Sequence, residues 1–358
     1  MLLAVDFPSF IKPEIIPGVL PIRWYGLMYI VAFSIAFLLY RRQVRERRFP
    51  LSEDDLSTMF FWCILALILG ARIFSTLVYE PPATNEYLRK PWLIFWPFRD
   101  GKFTGFQGMS YHGGVIGGIV GIVVWSKVKK LDLREIADMY AASIPLGYTF
   151  GRIGNFINAE LYGRVTTSPL GMIFPIPKYD TANRLNPQLE WVREVAEKTG
   201  ISLPSNPAEL INLPRHPSQL YEAFFEGIVL WALIWVLRKK SPFKGFASGL
   251  YLLGYGFCRF FIEYFREPDA GLGYRIQLGK IVRPEDIAYL HPPLSFSTGQ
   301  ILCILMMLTA GIWWAIAARL PNSRFVYEYS QTAVHHPPDK TEKKAGKNAR
   351  RKLRRKLR

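Results

Sequence analysis

What most constrains this chain is a series of apolar stretches that reach, or nearly reach, the roughly 20 residues a bilayer core requires. Seven fall at about 22–40, 56–79, 112–127, 136–148, 219–237, 246–265 and 300–318. The third and fourth are short and lie only a few residues apart. In hydrocarbon every backbone N–H and C=O must be bonded within the segment or its neighbours, and a helix does this by itself. The expected fold is therefore an all-α polytopic membrane protein with seven transmembrane helices. Half of the 358 residues are hydrophobic, yet the formal net charge is +17. That pairing fits apolar spans with basic edges and argues against a soluble enzyme.

Short cytoplasmic connections accumulate Lys and Arg, which sets the orientation. Arg41, Arg42, Arg45, Arg47 and Arg48 crowd the first connection. Lys127, Lys129, Lys130 and Arg134 fill the third, and Arg238, Lys239, Lys240 and Lys244 the fifth. Seven spans then put the N-terminus outside and the C-terminus in the cytoplasm. The connections at about 80–111, 149–218 and 266–299 are longer, rich in Pro and aromatics, and are expected on the external face. Residues 1–20 lack a basic leader and are interrupted by prolines, so the first span is expected to act as its own targeting signal. Cys63, Cys258 and Cys303 are scattered through apolar stretches and imply neither a disulfide framework nor a metal site.

The transmembrane domain is expected over residues 1–320 and a basic, disordered tail over 321–358. Twelve basic residues face three acidic ones in that tail. Its expected partner is the anionic headgroups of the cytoplasmic leaflet, not nucleic acid.

Polar groups stand where lipid-facing helices should have none, and intramembrane ionisable groups mark function. The run Gly151-Arg152-Ile153-Gly154-Asn155-Phe156-Ile157-Asn158-Ala159-Glu160-Leu161-Tyr162-Gly163-Arg164 places arginine, amide and carboxylate groups directly after an apolar stretch. A snorkelling charge at a helix end is the bland account of its arginines, and it suits Arg164 better than Arg152. The third stretch opens with His112 and continues Gly113, Gly117, Gly121, a spacing that lets two helices approach closely. The fifth opens His216-Pro217-Ser218-Gln219-Leu220-Tyr221-Glu222, where proline marks a helix start. Gln219 and Glu222 read there as packing or supporting groups. In the sixth, Tyr255, Arg259 and Glu263 fall on one helical face. An isolated Arg259–Glu263 pair would only neutralise itself. Adding Arg152 and Arg164 leaves more buried guanidinium than nearby carboxylate, which implies an anionic ligand. Tyr25, after Trp24, suits an interfacial belt whatever the function.

Taken together these residues resemble the bacterial phosphatidylglycerol:prolipoprotein diacylglyceryl transferase family. The matching features are Trp24-Tyr25-Gly26, Ser110 to Gly114, the run 151–164, His216 to Glu222, Tyr255-Gly256 with Arg259 and Glu263, Phe265 to Asp269, and Ser297 with Gly299-Gln300. They fall in order over about residues 20–320, and the run 151–164 is the most specific. The resemblance implies a multi-pass inner-membrane enzyme that moves the diacylglyceryl group of phosphatidylglycerol onto the lipobox cysteine of a prolipoprotein signal peptide. A thioether forms and glycerol phosphate leaves. By that analogy Arg152 and Arg259 hold the lipid phosphate, and Asn155, Glu160 and Gly163 shape the site. Tyr25, His112, Tyr255 and Glu263 match positions the family needs. The connections at 165–214 and 270–294 and the tail are long for the family.

The residues suit that chemistry on their own terms. A free thiol is mostly protonated at neutral pH and needs a base, and a departing phosphate needs cations. Arg152 and Arg259 are expected to act as electrostatic catalysts. His112 is the leading base with Tyr255 polarising it, and Glu263 or another buried carboxylate is the alternative. No metal or cofactor is called for, and the chain's own cysteines are expected to be dispensable. A transporter for an anionic solute is the rival class. No internal repeat supports it, and the polar groups gather toward the external ends of the spans. A Ser/His or paired-aspartate arrangement for an intramembrane protease is missing from the sequence.

Overall fold

The computed structural model describes residues 4–16, 20–80, 85–99, 101–103, 108–181, 183–268, 273–279 and 281–324. The described residues are mostly helical, and their strands form only two-stranded ladders. Helix α1 is Trp24–Arg47 and α2 is Glu53–Phe74, which runs on through a π turn at Ser75–Tyr79. A short α3, Glu86–Arg89, precedes α4, Tyr111–Val128. Next come α5, Leu133–Ala141, α6, Ile144–Ile157, and α7, Glu190–Thr199. Helices α8, Ser218–Glu222, and α9, Leu230–Leu237, are joined by a π segment, Ala223–Val229. The last two are α10, Phe246–Ile262, and α11, Thr298–Arg319.

Five helical segments among the described residues are long and apolar enough to cross a membrane. They are Trp24–Arg47, Glu53–Val78, Tyr111–Val128, Ser218–Lys240 and Thr298–Arg319. Their starts follow from local chemistry. Ser52 accepts the Asp55 N–H, and Glu53, Asp54 and Asp55 place negative charge in the first turn of α2. Ser110 caps α4 in the same way, and Ser297 with Gln300 forms a reciprocal capping box on α11.

Glycine spacing on the third apolar stretch sets one helix pair, as expected. A Cβ on Gly70 would lie 2.4 Å from the Gly113 carbonyl, and one on Gly117 would lie 2.2 Å from the Ala66 carbonyl. The backbones of α2 and α4 therefore touch. Helix α6 approaches α1 by the same device, since a Cβ on Gly147 would lie 2.7 Å from the Ala32 carbonyl.

The fourth apolar stretch is not one helix. It breaks at Ala142–Ser143, and Pro145 in the first turn starts α6 afresh. Helix α6 then continues to Ile157, so Arg152 and Asn155 stand on a helix and not in the connection expected from residue 149. Gly151 and Gly154 did not end it: a Cβ on Gly154 would lie 3.1 Å from Tyr25 of α1, so close packing on α1 favours a residue without a side chain there, whereas Gly151 faces open space.

The stretch from 163 to 215 is a packed module with its own core. Val165, Leu185, Trp191, Val192, Val195 and Leu213 bury against one another. Trp191 stacks on Tyr289 at 5.2 Å, tying the module to the 284–291 segment. At the opposite end of the bundle Asp138 of α5 accepts from the Gly245 and Ser248 backbone N–H groups, capping α10. Lys244 pairs with Glu135 there. Of the tail, residues 325–358 lie outside the described residues.

Candidate active site

Three helical segments bring their polar groups to one place near the C-terminal ends of α6 and α10. From α6, Arg152 Nε donates to Tyr148 Oη at 2.6 Å and lies 2.8 Å from Glu222 Oε2. From α10, Arg259 Nη1 lies 2.8 Å from the same Glu222 oxygen, 3.8 Å from Glu226 Oε1, and its Nη2 is 3.4 Å from Glu263 Oε2. Arg266 Nη1 is 3.6 Å from Glu222 Oε1. Tyr148 Oη donates to Glu226 Oε2 at 2.5 Å, and Ser297 Oγ donates to Glu263 Oε1 at 3.0 Å.

Glu222 is thus the hub, although its place at a helix start suggested only a packing role. Glu222 and Glu226 are fully buried. They sit on either side of the junction between α8 and the π segment, whose wider turn departs from ordinary helical spacing. Gly227, one residue on, admits Thr149 of α6 so closely that a Cβ would meet its Oγ1 at 2.0 Å. That contact places the α8 segment against Arg152.

The expected surplus of buried cation is corrected by these neighbours. Arg152, Arg259 and Arg266 each have a carboxylate within 3.6 Å. The compensating groups come from a different span, which periodicity along one helix cannot reveal. Glu226 and Tyr148 escaped the sequence reading. A carboxylate four residues after Glu222 in an apolar span, and a phenol four before Arg152, were the available signals.

The other expected residues divide. Arg152 Nη1 donates to Asn155 Oδ1 at 3.4 Å, and Asn155 Nδ2 donates to Glu160 Oε1 at 2.8 Å, so these three form one chain of contacts. Gln219 Nε2 donates to the Glu160 carbonyl at 2.7 Å and supports that turn. The Tyr255 ring meets Tyr148 edge-on at 5.9 Å. Tyr25 stands where Gly154 leaves room, since a Cβ on that glycine would lie 3.1 Å from the Tyr25 ring. Its Oη is 2.9 Å from that of Tyr29. His112 occupies the exposed second position of α4 beside Tyr111. Gly163 is a backbone crossing point: its N–H donates to the His216 carbonyl, and a Cβ would lie 2.2 Å from the Phe265 carbonyl.

Arg164 does not snorkel. It is 2 % exposed, donates to the Ile287 carbonyl, and lies over the Tyr274 ring at 5.5 Å. The chain turns inward there because the Arg164 and Val165 N–H groups bond the Phe265 and Ala288 carbonyls. Beside it, His216 meets Tyr221 Oη at 3.1 Å, and burial holds the imidazole pKa down to about 4. It is neutral at physiological pH.

Residues 14–316 match the family described as prolipoprotein diacylglyceryl transferase. A phosphatidylglycerol–prolipoprotein diacylglyceryl transferase of Treponema denticola is 56% identical over 323 residues, covering 87% of this chain and 93% of the relative. The enzyme of that name from Treponema pallidum is 51% identical, covering 88% and 96%. One from Chlorobaculum tepidum is 41% identical, covering 85% and 89%.

Proposed function

The chain belongs to the prolipoprotein diacylglyceryl transferase family, and on that premise we propose that it moves the sn-1,2-diacylglyceryl group of phosphatidylglycerol onto the lipobox cysteine of prolipoproteins. The observation that carries the site assignment is the convergence of Arg152 and Arg259 on a single carboxylate oxygen, each at 2.8 Å. Two guanidinium groups from different helices held on one buried carboxylate form a fork whose remaining N–H donors can meet a phosphodiester oxygen.

In the reaction the substrate sulfur forms a bond to the glyceryl carbon while the bond from that carbon to the phosphate oxygen breaks. The electron pair leaves on glycerol phosphate, where Arg152 and Arg259 meet the growing charge. The thiol proton goes to His112. Glu263 is the poorer base, because Ser297 and Arg259 already engage both its oxygens. Asn155 and Glu160 steady Arg152, Gly163 lets the chain cross beneath them, and Tyr25 and Tyr255 wall the site. Transporting an anionic solute would leave the family membership without a role.

Seven spans fit the same reading. Helix α10 has 17 residues and lies along α11, and α6 lies along α1. The roughly 25 Å length of α10 at ~1.5 Å per residue falls just short of a bilayer core. The basic connections support an N-terminus outside and a C-terminus in the cytoplasm, and the proposed activity supports an inner-membrane enzyme with its tail on anionic headgroups.

The test is transfer from phosphatidylglycerol to a lipobox peptide, with the product cysteine detected by mass. Arg152→Ala and Arg259→Ala should each lower turnover at least roughly 100-fold, the scale seen when a charge-stabilising donor is lost. Near-normal turnover in either would overturn the assignment.

A further inference from the structure

Beyond the C-terminal end of α6 lies a cavity of about 250 Å³ that the proposed transfer chemistry does not use. Its wall includes Phe7, Pro13, Asn158, Tyr162, Pro177 and Asp180. We propose that this cavity binds the stretch of substrate polypeptide that follows the modified cysteine, an inference that rests on the transferase reading above.

The cavity is joined to the arginine site by hydrogen bonds. Glu160 Oε1 accepts from Asn155 Nδ2 at 2.8 Å and from Asn158 Nδ2 at 3.3 Å, and Asn155 in turn touches Arg152. A ligand on Asn158 is therefore two side chains removed from the guanidinium proposed to hold the phosphate. That is the spacing expected of a second substrate laid beside the first.

The chemistry of the wall selects a polypeptide over an acyl chain. Asn158 Oδ1 is buried and has no hydrogen-bond partner among the described residues. A peptide N–H can satisfy an acceptor left unpaired, and a hydrocarbon cannot. The Asp180 carboxylate, which Asn183 bonds at both oxygens, also lines the cavity and is out of place against a lipid tail. Prolines, two aromatic rings and the aliphatic side chains of Ile11, Ile157, Ala159 and Ile176 complete the lining, a surface on which extended peptide can lie.

The wall is rigid and its mouth is aromatic. Phe7 packs on Phe156 at 5.3 Å and on Phe174 at 5.6 Å, Tyr162 lies 5.1 Å from Phe174, and Arg215 covers the Tyr162 ring at 4.9 Å. Next to the wall residues Ile11 and Asp180, Phe10 is 84 % and Tyr179 is 87 % exposed. Large rings left in the open on two separate segments beside one cavity are suited to contact with a chain passing across it.

The full-length enzyme is assayed with phosphatidylglycerol and two lipobox peptides, one ending at the cysteine and one continuing eight residues beyond. Both peptides should be modified, and the longer should show a KM roughly tenfold lower. In Phe10→Ser/Tyr179→Ser, whose exposed rings support no core, and in Asn158→Leu, that advantage should shrink to within about twofold while the KM for phosphatidylglycerol stays put. Equal KM values in the unaltered enzyme, or an advantage that survives both variants, overturn the inference. So does a photoreactive benzophenone at the second residue after the cysteine that attaches outside residues 4–16, 157–162 and 172–181. Transfer to neither peptide would instead overturn the activity, and this inference with it.

Discussion

Glu222 carries more of the site than any other side chain, because it holds Arg152, Arg259 and Arg266 at once without access to solvent. Breaking such a buried arrangement by removing one charge costs about 3–5 kcal/mol, far more than a surface pair. Glu222→Gln keeps the shape and removes the charge, so the helices should still assemble while the two guanidinium groups repel and splay. Turnover should fall roughly 100-fold with the larger part in kcat, since the fork acts on the leaving phosphate. A variant that binds lipid normally and turns over within a factor of about three would show that Glu222 does not set the fork. That Arg152, Arg259 and Glu263 gather in one cluster was legible in the sequence because charge in an apolar stretch is conspicuous. The role of Glu222 was not, because a helical period shows which residues share a face and says nothing of which face meets which.

Helix pairs depend on where backbones can touch, and here glycine spacing was a sound guide. Gly117 sits with the Ala66 carbonyl where its Cβ would be, at 2.2 Å. Gly117→Leu must therefore push α4 away from α2, and overpacking of this kind typically costs about 1–3 kcal/mol. Thermal unfolding in detergent should shift down by several degrees. Gly151→Ala, whose added Cβ would meet nothing within 4 Å, should leave the melting temperature nearly unchanged. Equal shifts at the two positions would mean that propensity, and not contact, limits these helices. The break at Ala142–Ser143 and the π segment at Ala223–Val229 were the illegible elements. The first is hidden because apolar composition runs straight through it, and the second because a wider turn leaves no mark in composition.

At the scale of the whole molecule the 163–215 module meets α6 through Phe174 on Phe156 at 6.1 Å and the 284–291 segment through Trp191 on Tyr289, and that segment contains a titrating group. The bundle was legible from its apolar stretches; the module was not, since its core residues look like any Pro-rich connection until they pack. His291 stacks on Tyr264 at 4.3 Å and faces Tyr274 at 4.8 Å, while its Nε2 lies 2.8 Å from the Ser295 carbonyl. Burial, aided by the charge of Arg164, holds its pKa down to about 4. The ordinary value in an unfolded chain is about 6.5. Between those values the unfolded chain binds a proton that the folded chain refuses, so stability rises with pH there. The contribution is fully present above about pH 6.5, declines as the pH falls, and is lost by about pH 4. Allowing for partial solvent access, it is on the order of 1–2 kcal/mol. His291→Gln can still donate to the Ser295 carbonyl but cannot take up the proton. Melting temperatures measured at pH 7.5 and pH 5 should therefore fall further for the unaltered protein than for the variant. An equal drop would show that the 284–291 segment does not sense protons through His291.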